Sequence, residues 1–433
     1  MAELAGGVID EIVEGLTGDA TRLEEHYRSK QVVSRNRLRY RSLFESDYNA
    51  PDAPETVRAP DSFDAVNRIF HQRGWTDGLP IVPPTRERCE AMLGDRNPEE
   101  EVGVVEPRLG RATAAKLAVN AVMAGCEPAH FPVVVAATRA MCDPRFNLKA
   151  LQSTTHPCTV LVMVNGPLAD TLEINGAYNA FGQGRRANAS IGRAVRFILL
   201  NIGGAAPGVL DRATMGSPAK YSFCFAENVA ASPWDPWHVE NGFSPDASTV
   251  TVCGVEGPHN VNDHYGRTGE EILLTVAGTL ASTGANNFYL EGEPVVVLGP
   301  EHAEVVAAAG FSKADVRRFL SEHAVVPRAV VSEAMVDVLE ARFPDHLIGP
   351  RGRDGVRFCT RPDDLIVVVA GGAGRHSAIL PTFGHATRHV IAEVGGPDGT
   401  RAESIGPASS HPEHDSEICP MSREAHIVSP CRG

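Results

Sequence analysis

Four stretches of this 433-residue chain concentrate reactive side chains. In VEGPHNVNDHYGRTGEE (255–271), His259, Asn260, Asn262, Asp263 and His264 stand between an apolar run and a helix start. Two imidazoles and a carboxylate this close suit proton transfer, or coordination of a divalent transition metal such as zinc or iron. The acid–base candidates are His259, Asp263 and His264, and the metal candidates His259 and His264. Their separation is not the His-x-x-x-His of a helical zinc site, and Asn and Asp equally build ordinary turns.

The second stretch, FGQGRRANASIGRAVRFILLNIGG (181–204), sets glycines and arginines at the start of an amphipathic helix. Free amides at a helix N-terminus with Arg185, Arg186 and Asn188 form a site for a carboxylate or phosphate. The alternative is a glycine-rich turn whose arginines bridge to acids elsewhere. In the third, Ser217-Pro-Ala-Lys220 has the Ser-x-x-Lys spacing of serine acylases. That mechanism needs a helix after the serine, which Pro218 and the β-rich YSFCF oppose, but Lys220 stays as a catalytic candidate and, with Glu227, as a pocket residue. The fourth, VVVAGGAGRHSAILPTFGHATRH (367–389), runs a strand into a backbone nest carrying Arg375, His376 and Ser377. Such a nest suits an oxyanion or phosphate, and a tight strand-to-loop turn is the competing explanation. His411, His414, Cys419, His426 and Cys431 in the tail form an alternative metal set, without a known zinc spacing.

The elements that must hold these residues read as α/β. Apolar, β-branched runs at 157–167, 220–227, 248–255, 294–299 and 363–372 alternate with helical patterns at 112–124, 131–142, 187–201, 269–283, 301–309 and 313–323. This predicts a mixed or largely parallel sheet flanked by helices, with an N-terminal helical extension. Residues 1–60 are read as helices and a linker, 61–300 as the main α/β region, 301–395 as a second one and 396–433 as an irregular tail. No internal repeat is evident. The extension suits clasping a second subunit, and a homo-oligomer is expected.

Composition, 43% hydrophobic and 22% charged, is that of a globular protein. A formal charge of −14 opposes nucleic acid and anionic membranes. No apolar run has the length of a membrane span, and nine scattered cysteines fit a reducing cytoplasm. Cys126, Cys142 and Cys158 are read as buried structural thiols.

DGLPIVPPT (77–85), ATAAKLAVNAVMAGCEP (112–128), STTHP (153–157), RRANASIGRAVRFILLNIGGAAPG (185–208), SPAKYSFCFAEN (217–228), SPWDPWHVENGF (232–243), GPHNVNDH (257–264) and GGAGRHS (371–377) together resemble one group of bacterial proteins. These are the large proteins that accompany, or are fused to, the small family carrying a Sec-Gly-Ser-Cys (UGSC) motif. The resemblance spans about 75–390. This chain lacks Sec-Gly-Ser-Cys and Cys-Gly-Ser-Cys, Met215-Gly-Ser-Pro218 being no substitute. The resemblance therefore implies that any redox thiol or selenol comes from a separate partner.

The expected function is an enzyme of bacterial catabolism or specialised metabolism acting on a small anionic substrate. Lyase or hydrolase chemistry is expected, since no flavin, nicotinamide or nucleotide fingerprint appears. The alternatives are a subunit working with a small thiol or selenol redox protein, and a metal-binding protein that uses the His/Cys tail.

Overall fold

The computed structural model describes residues 56–384, 386–395 and 424–428. The expected helices before residue 46, and tail residues His411, His414, Cys419 and Cys431, lie outside them. Eight strands build the centre: β1 (Thr159–Asn165), β2 (Cys224–Ala226), β3 (Thr249–Val255), β4 (His259–Asn262), β5 (Val295–Leu298), β6 (Ile366–Val369), β7 (His376–Leu380) and β8 (Val390–Glu393). They form two mixed sheets, in the orders β8-β3-β1-β2 and β6-β5-β7-β4.

The α/β expectation holds, with two sheets where one was expected. Each sheet has one parallel pair, β1 with β2 and β5 with β6, followed by two antiparallel pairings. The fourth strands are exchanged. β4 follows β3 of the first sheet yet pairs in the second, and β8 follows β7 of the second yet pairs in the first. The expected division at residue 300 falls inside the second sheet, whose strands β4 and β5 precede it.

Alternation of side chains along every strand sorts the core into layers. Val160, Val162 and Val164 of β1, with Val250 and Val252 of β3, face outward onto α1 (Ala114–Ala124), α2 (Phe131–Met141) and α3 (Arg186–Asn201). Leu161, Met163, Phe225 and Cys253 face inward, against Val295, Val297, Ile366, Val368 and Leu380 of the second sheet. The outer face of that sheet, with Val296, Leu298, Val367 and Ile379, is covered by α4 (Gly269–Leu280), α5 (Pro300–Ala308) and α6 (Lys313–His323). The result is helix, sheet, sheet, helix.

Local chemistry sets the ends of these helices. The α6 start is the capping box expected at Ser312 and Asp315, and Thr268 with Glu271 makes another on α4. Thr85 caps Arg86–Leu93 through its hydroxyl. The strand expected over 220–227 shrinks to Cys224–Ala226. Ser217 accepts the Ala219 N–H and starts a 3-10 turn over Pro218–Lys220, and Arg196 then fixes that turn through the Lys220 carbonyl. The tail is not wholly irregular, because Glu424–Val428 pairs antiparallel with Thr56–Pro60 and places His426 on a strand.

Candidate functional site

The carboxyl ends of β2 and β6 meet. Asn228 donates its backbone N–H to the Val369 carbonyl at 2.8 Å and its side-chain amide to the Gly371 carbonyl at 2.9 Å. β7 and β4 bring His376 and Asn262 to this end as cross-strand partners. Partners across an antiparallel ladder share a face, and Asn260 lies on that face as well.

The stretch at 259–264, expected as a loop, is thus an edge strand and the turn that follows it. This strand sorts its side chains. Val261 is buried in the second core, whereas Asn260 and Asn262 are exposed beside His376. His376 Nδ1–H donates to Asn260 Oδ1 at 3.0 Å. His376 Nε2 faces His264 Nε2 at 3.3 Å, with the rings edge-on at 78°. Both imidazoles are exposed.

A buried brace stands behind this pair. His302, fully buried on α5, donates Nε2–H to the Asp263 carbonyl at 3.0 Å. Its bare Nδ1 accepts the Ser377 hydroxyl at 2.8 Å, and Ser377 Oγ accepts the Gly299 N–H at 3.0 Å. One ring therefore ties the end of β4 to the start of β7. Burial, with the Arg375 charge nearby, holds His302 below the usual histidine range against the opposing Asp263 carbonyl, so the ring is neutral at pH 7.

Asp263, expected as an acid–base group, has its carboxylate engaged by the turn and helix that follow β4. Its carboxylate accepts Tyr265 N–H, Gly266 N–H and the Thr275 hydroxyl. Burial raises its pKa, but these hydrogen bonds outweigh that and leave it below the usual carboxylate value. Arg375 donates to the Gly266 carbonyl at 2.6 Å, and its buried Nε has no partner. Glu301 latches the nest by accepting the Gly374 N–H at 2.9 Å.

Gly299 is the tightest point of this arrangement, since a Cβ there would stand 2.0 Å from the His376 carbonyl oxygen. Gly299→Ala must push β7 off β5. The expected cost is about 1–3 kcal/mol, read as a lower denaturant midpoint at unchanged slope.

The other expected residues go elsewhere. His259 pairs in register with Ile379, on the strand face opposite Asn260, and does not meet His264. His264, expected as a metal ligand with His259, is instead in contact with His376. Arg186 is bound to Glu127 and to the Gly125 carbonyl, and Arg193 to Asp77 at 2.7 Å. Asn188 is buried, joining Asn175 to the Cys224 carbonyl. Arg186 and Arg193 thus bridge to acids elsewhere, the alternative given for that loop. The Arg185 side chain is exposed and makes no hydrogen bond or ion pair among the described residues. Lys220 is held by both oxygens of Asp211 at 2.8 Å.

Sequence reading missed His302 and Lys313. The only signal for His302 was a histidine directly after a strand-Gly-Pro-Glu turn. Lys313, read as part of a cap, reaches back from α6 to the first half. Its Nζ meets the Asp235 carbonyl at 2.8 Å, Glu240 at 3.3 Å and Glu227 at 3.6 Å. The Glu227 side chain is 0% exposed and accepts from Asn165 at 2.6 Å and from Trp237 N–H at 2.7 Å.

Burial pushes the Cys89, Cys126, Cys142, Cys158 and Cys359 thiols up to about 12, and Cys224 and Cys253 move in the same direction. Thiols held protonated are poor nucleophiles. Native protein treated with iodoacetamide at neutral pH is expected to leave all seven unmodified on peptide mapping, and full modification on unfolding. Among the described residues no group of three or more His, Cys, Asp and Glu is placed to hold a metal, and no helix is long and apolar enough to cross a membrane. No family model matches the chain, and no curated protein does.

Proposed function

We propose that the protein is an enzyme acting on a small anionic organic molecule, a carboxylate or phosphate, by acid–base chemistry at His264 and His376. The observation that carries this reading is the exposed pair of Nε2 atoms 3.3 Å apart, with Asn260 fixing the tautomer of one ring. With Nδ1–H given to Asn260, His376 presents a bare Nε2 as a base, while His264 Nε2 carries the proton between them. A base and an acid side by side suit removal of a proton from substrate and protonation of a leaving group, the steps of a lyase or hydrolase. Arg375, next to His376 in the chain and held by the Gly266 carbonyl, supplies the positive charge for the anion.

The test is a turnover screen of carboxylate and phosphate esters and hydroxy acids with wild type, His264→Ala and His376→Ala. The reading requires that both variants lose the activity found. Activity that survives in both sinks it.

A second reading, a subunit that serves a small UGSC-type thiol or selenol protein, draws on the seven described cysteines, six buried and Cys142 half-buried, whose thiols burial holds protonated. Redox chemistry at this site would need its thiol from outside the described residues. Stable association with a Cys-Gly-Ser-Cys protein on size-exclusion chromatography tests it, and separate elution rejects it.

A further inference from the structure

We infer that His264 and His376 jointly bind a divalent transition-metal ion through their Nε2 atoms. This rests on the same pair as the proposed acid–base function: the ion would take the place of the proton between the two Nε2 atoms, and a water on it would take over the role of base. Two imidazole nitrogens at about 2.0–2.1 Å from a tetrahedral ion stand about 3.3–3.4 Å apart. The two Nε2 atoms stand 3.3 Å apart.

The tautomer agrees with ligation. A metal needs the lone pair on Nε2, and the Asn260 oxygen keeps the His376 proton on Nδ1. An outer oxygen on the far ring nitrogen is the usual support of a metal-bound histidine. Both ligands are also held before any ion arrives. The residue before His264 is anchored by three hydrogen bonds to its carboxylate and one to its carbonyl, and the residue after His376 is anchored by His302 and Gly299.

No third His, Cys, Asp or Glu completes the set among the described residues. Asn262, the cross-strand partner of His376, offers an amide oxygen on the same face. The other positions are left to water and to an oxygen of the substrate, the open arrangement of a catalytic rather than a structural site. Imidazole ligation selects Zn, Fe, Co or Ni over Mg and Ca.

The experiment is a Co2+ titration of the full chain followed by visible absorption, with Zn2+ as competitor. Wild type, His264→Ala, His376→Ala, Asn260→Ala and His259→Ala are compared. Taking the difference from wild type removes any ion held elsewhere, including by Cys419 or Cys431. The inference requires that one equivalent of Zn2+-displaceable Co2+ is lost in each of the first two variants and kept in His259→Ala. Asn260→Ala should bind about 10–100-fold more weakly, the usual effect of removing an outer partner. Equal binding by wild type and both histidine variants overturns the inference. If metal-stripped protein turns over substrate at the full rate and loses that rate in His376→Ala, the metal inference fails while the acid–base reading stands.

Discussion

His376→Ala is expected to cut turnover by about 10²–10⁴-fold, the range lost with a positioned general acid or base. The loss should fall on kcat rather than on folding. His376 is exposed, and its packing role is limited to Asn260 and His264, so the variant keeps both sheets. His376→Gln retains a hydrogen-bonding side chain but not the basic nitrogen, and should remain as inactive. Circular dichroism and a urea midpoint on the same samples separate the two effects. A lowered midpoint of the size of the rate loss would make His376 structural. His264→Ala should fall in the same range, and the double variant should lose little more than either single one, because residues acting as one unit are not additive.

The second large effect lies at Lys313. Its ammonium is the cation beside Glu227, a carboxylate with no exposed surface, and each comes from a different half of the fold. Removing one partner of a buried pair leaves an uncompensated charge, which costs about 3–5 kcal/mol. Lys313→Met is therefore expected to lower stability by that amount in urea unfolding. Glu227→Gln keeps an oxygen to accept from Asn165 and Trp237 while dropping the charge, and in the Lys313→Met background it should recover part of the loss. Additive losses in the double variant would show that the two charges do not interact.

Much of this fold could be read in the chain because local signals agreed with tertiary ones. α6 was expected over 313–323 and spans Lys313–His323, since a capping box and a helical apolar stripe mark both of its ends. β1 and β3 were legible as short β-branched runs, which is what a strand buried on both faces demands. The likeness in topology of the two sheets was not legible. Each half runs strand, Gly-Pro turn, helix, parallel strand and antiparallel strand, yet Gly166-Pro167 and Gly299-Pro300 are nearly all that the two sequences share. Those glycines persist for a physical reason: a Cβ at Gly166 would stand 2.1 Å from the Ala247 carbonyl, as one at Gly299 would from that of His376.

The candidate site was half legible for a similar reason. GPHNVNDH and GGAGRHS were each recognisable as dense in reactive groups, and His264 and His376 do come together. Their contact spans 112 residues and depends on a strand exchanged between sheets, which no local pattern encodes. Their place in one dense stretch suggested His259 and His264 as partners, although the spacing is not that of a helical zinc site, and period-two alternation turns His259 away. Arg186 and Arg193 misled because the sequence carries no mark of Glu127 and Asp77 waiting to neutralise them.

The most direct test of the central claim, one site made by His264 and His376, is a long-range proton–nitrogen correlation spectrum of the histidine rings in EDTA-treated protein at neutral pH. The structure predicts that His376 carries its proton on Nδ1 and has a bare Nε2, that Asn260→Ala releases the Nδ1–H form, and that His264→Ala shifts the His376 Nε2 signal. A His376 ring protonated on Nε2, with signals indifferent to both substitutions, would contradict the pairing and with it the function proposed for this site.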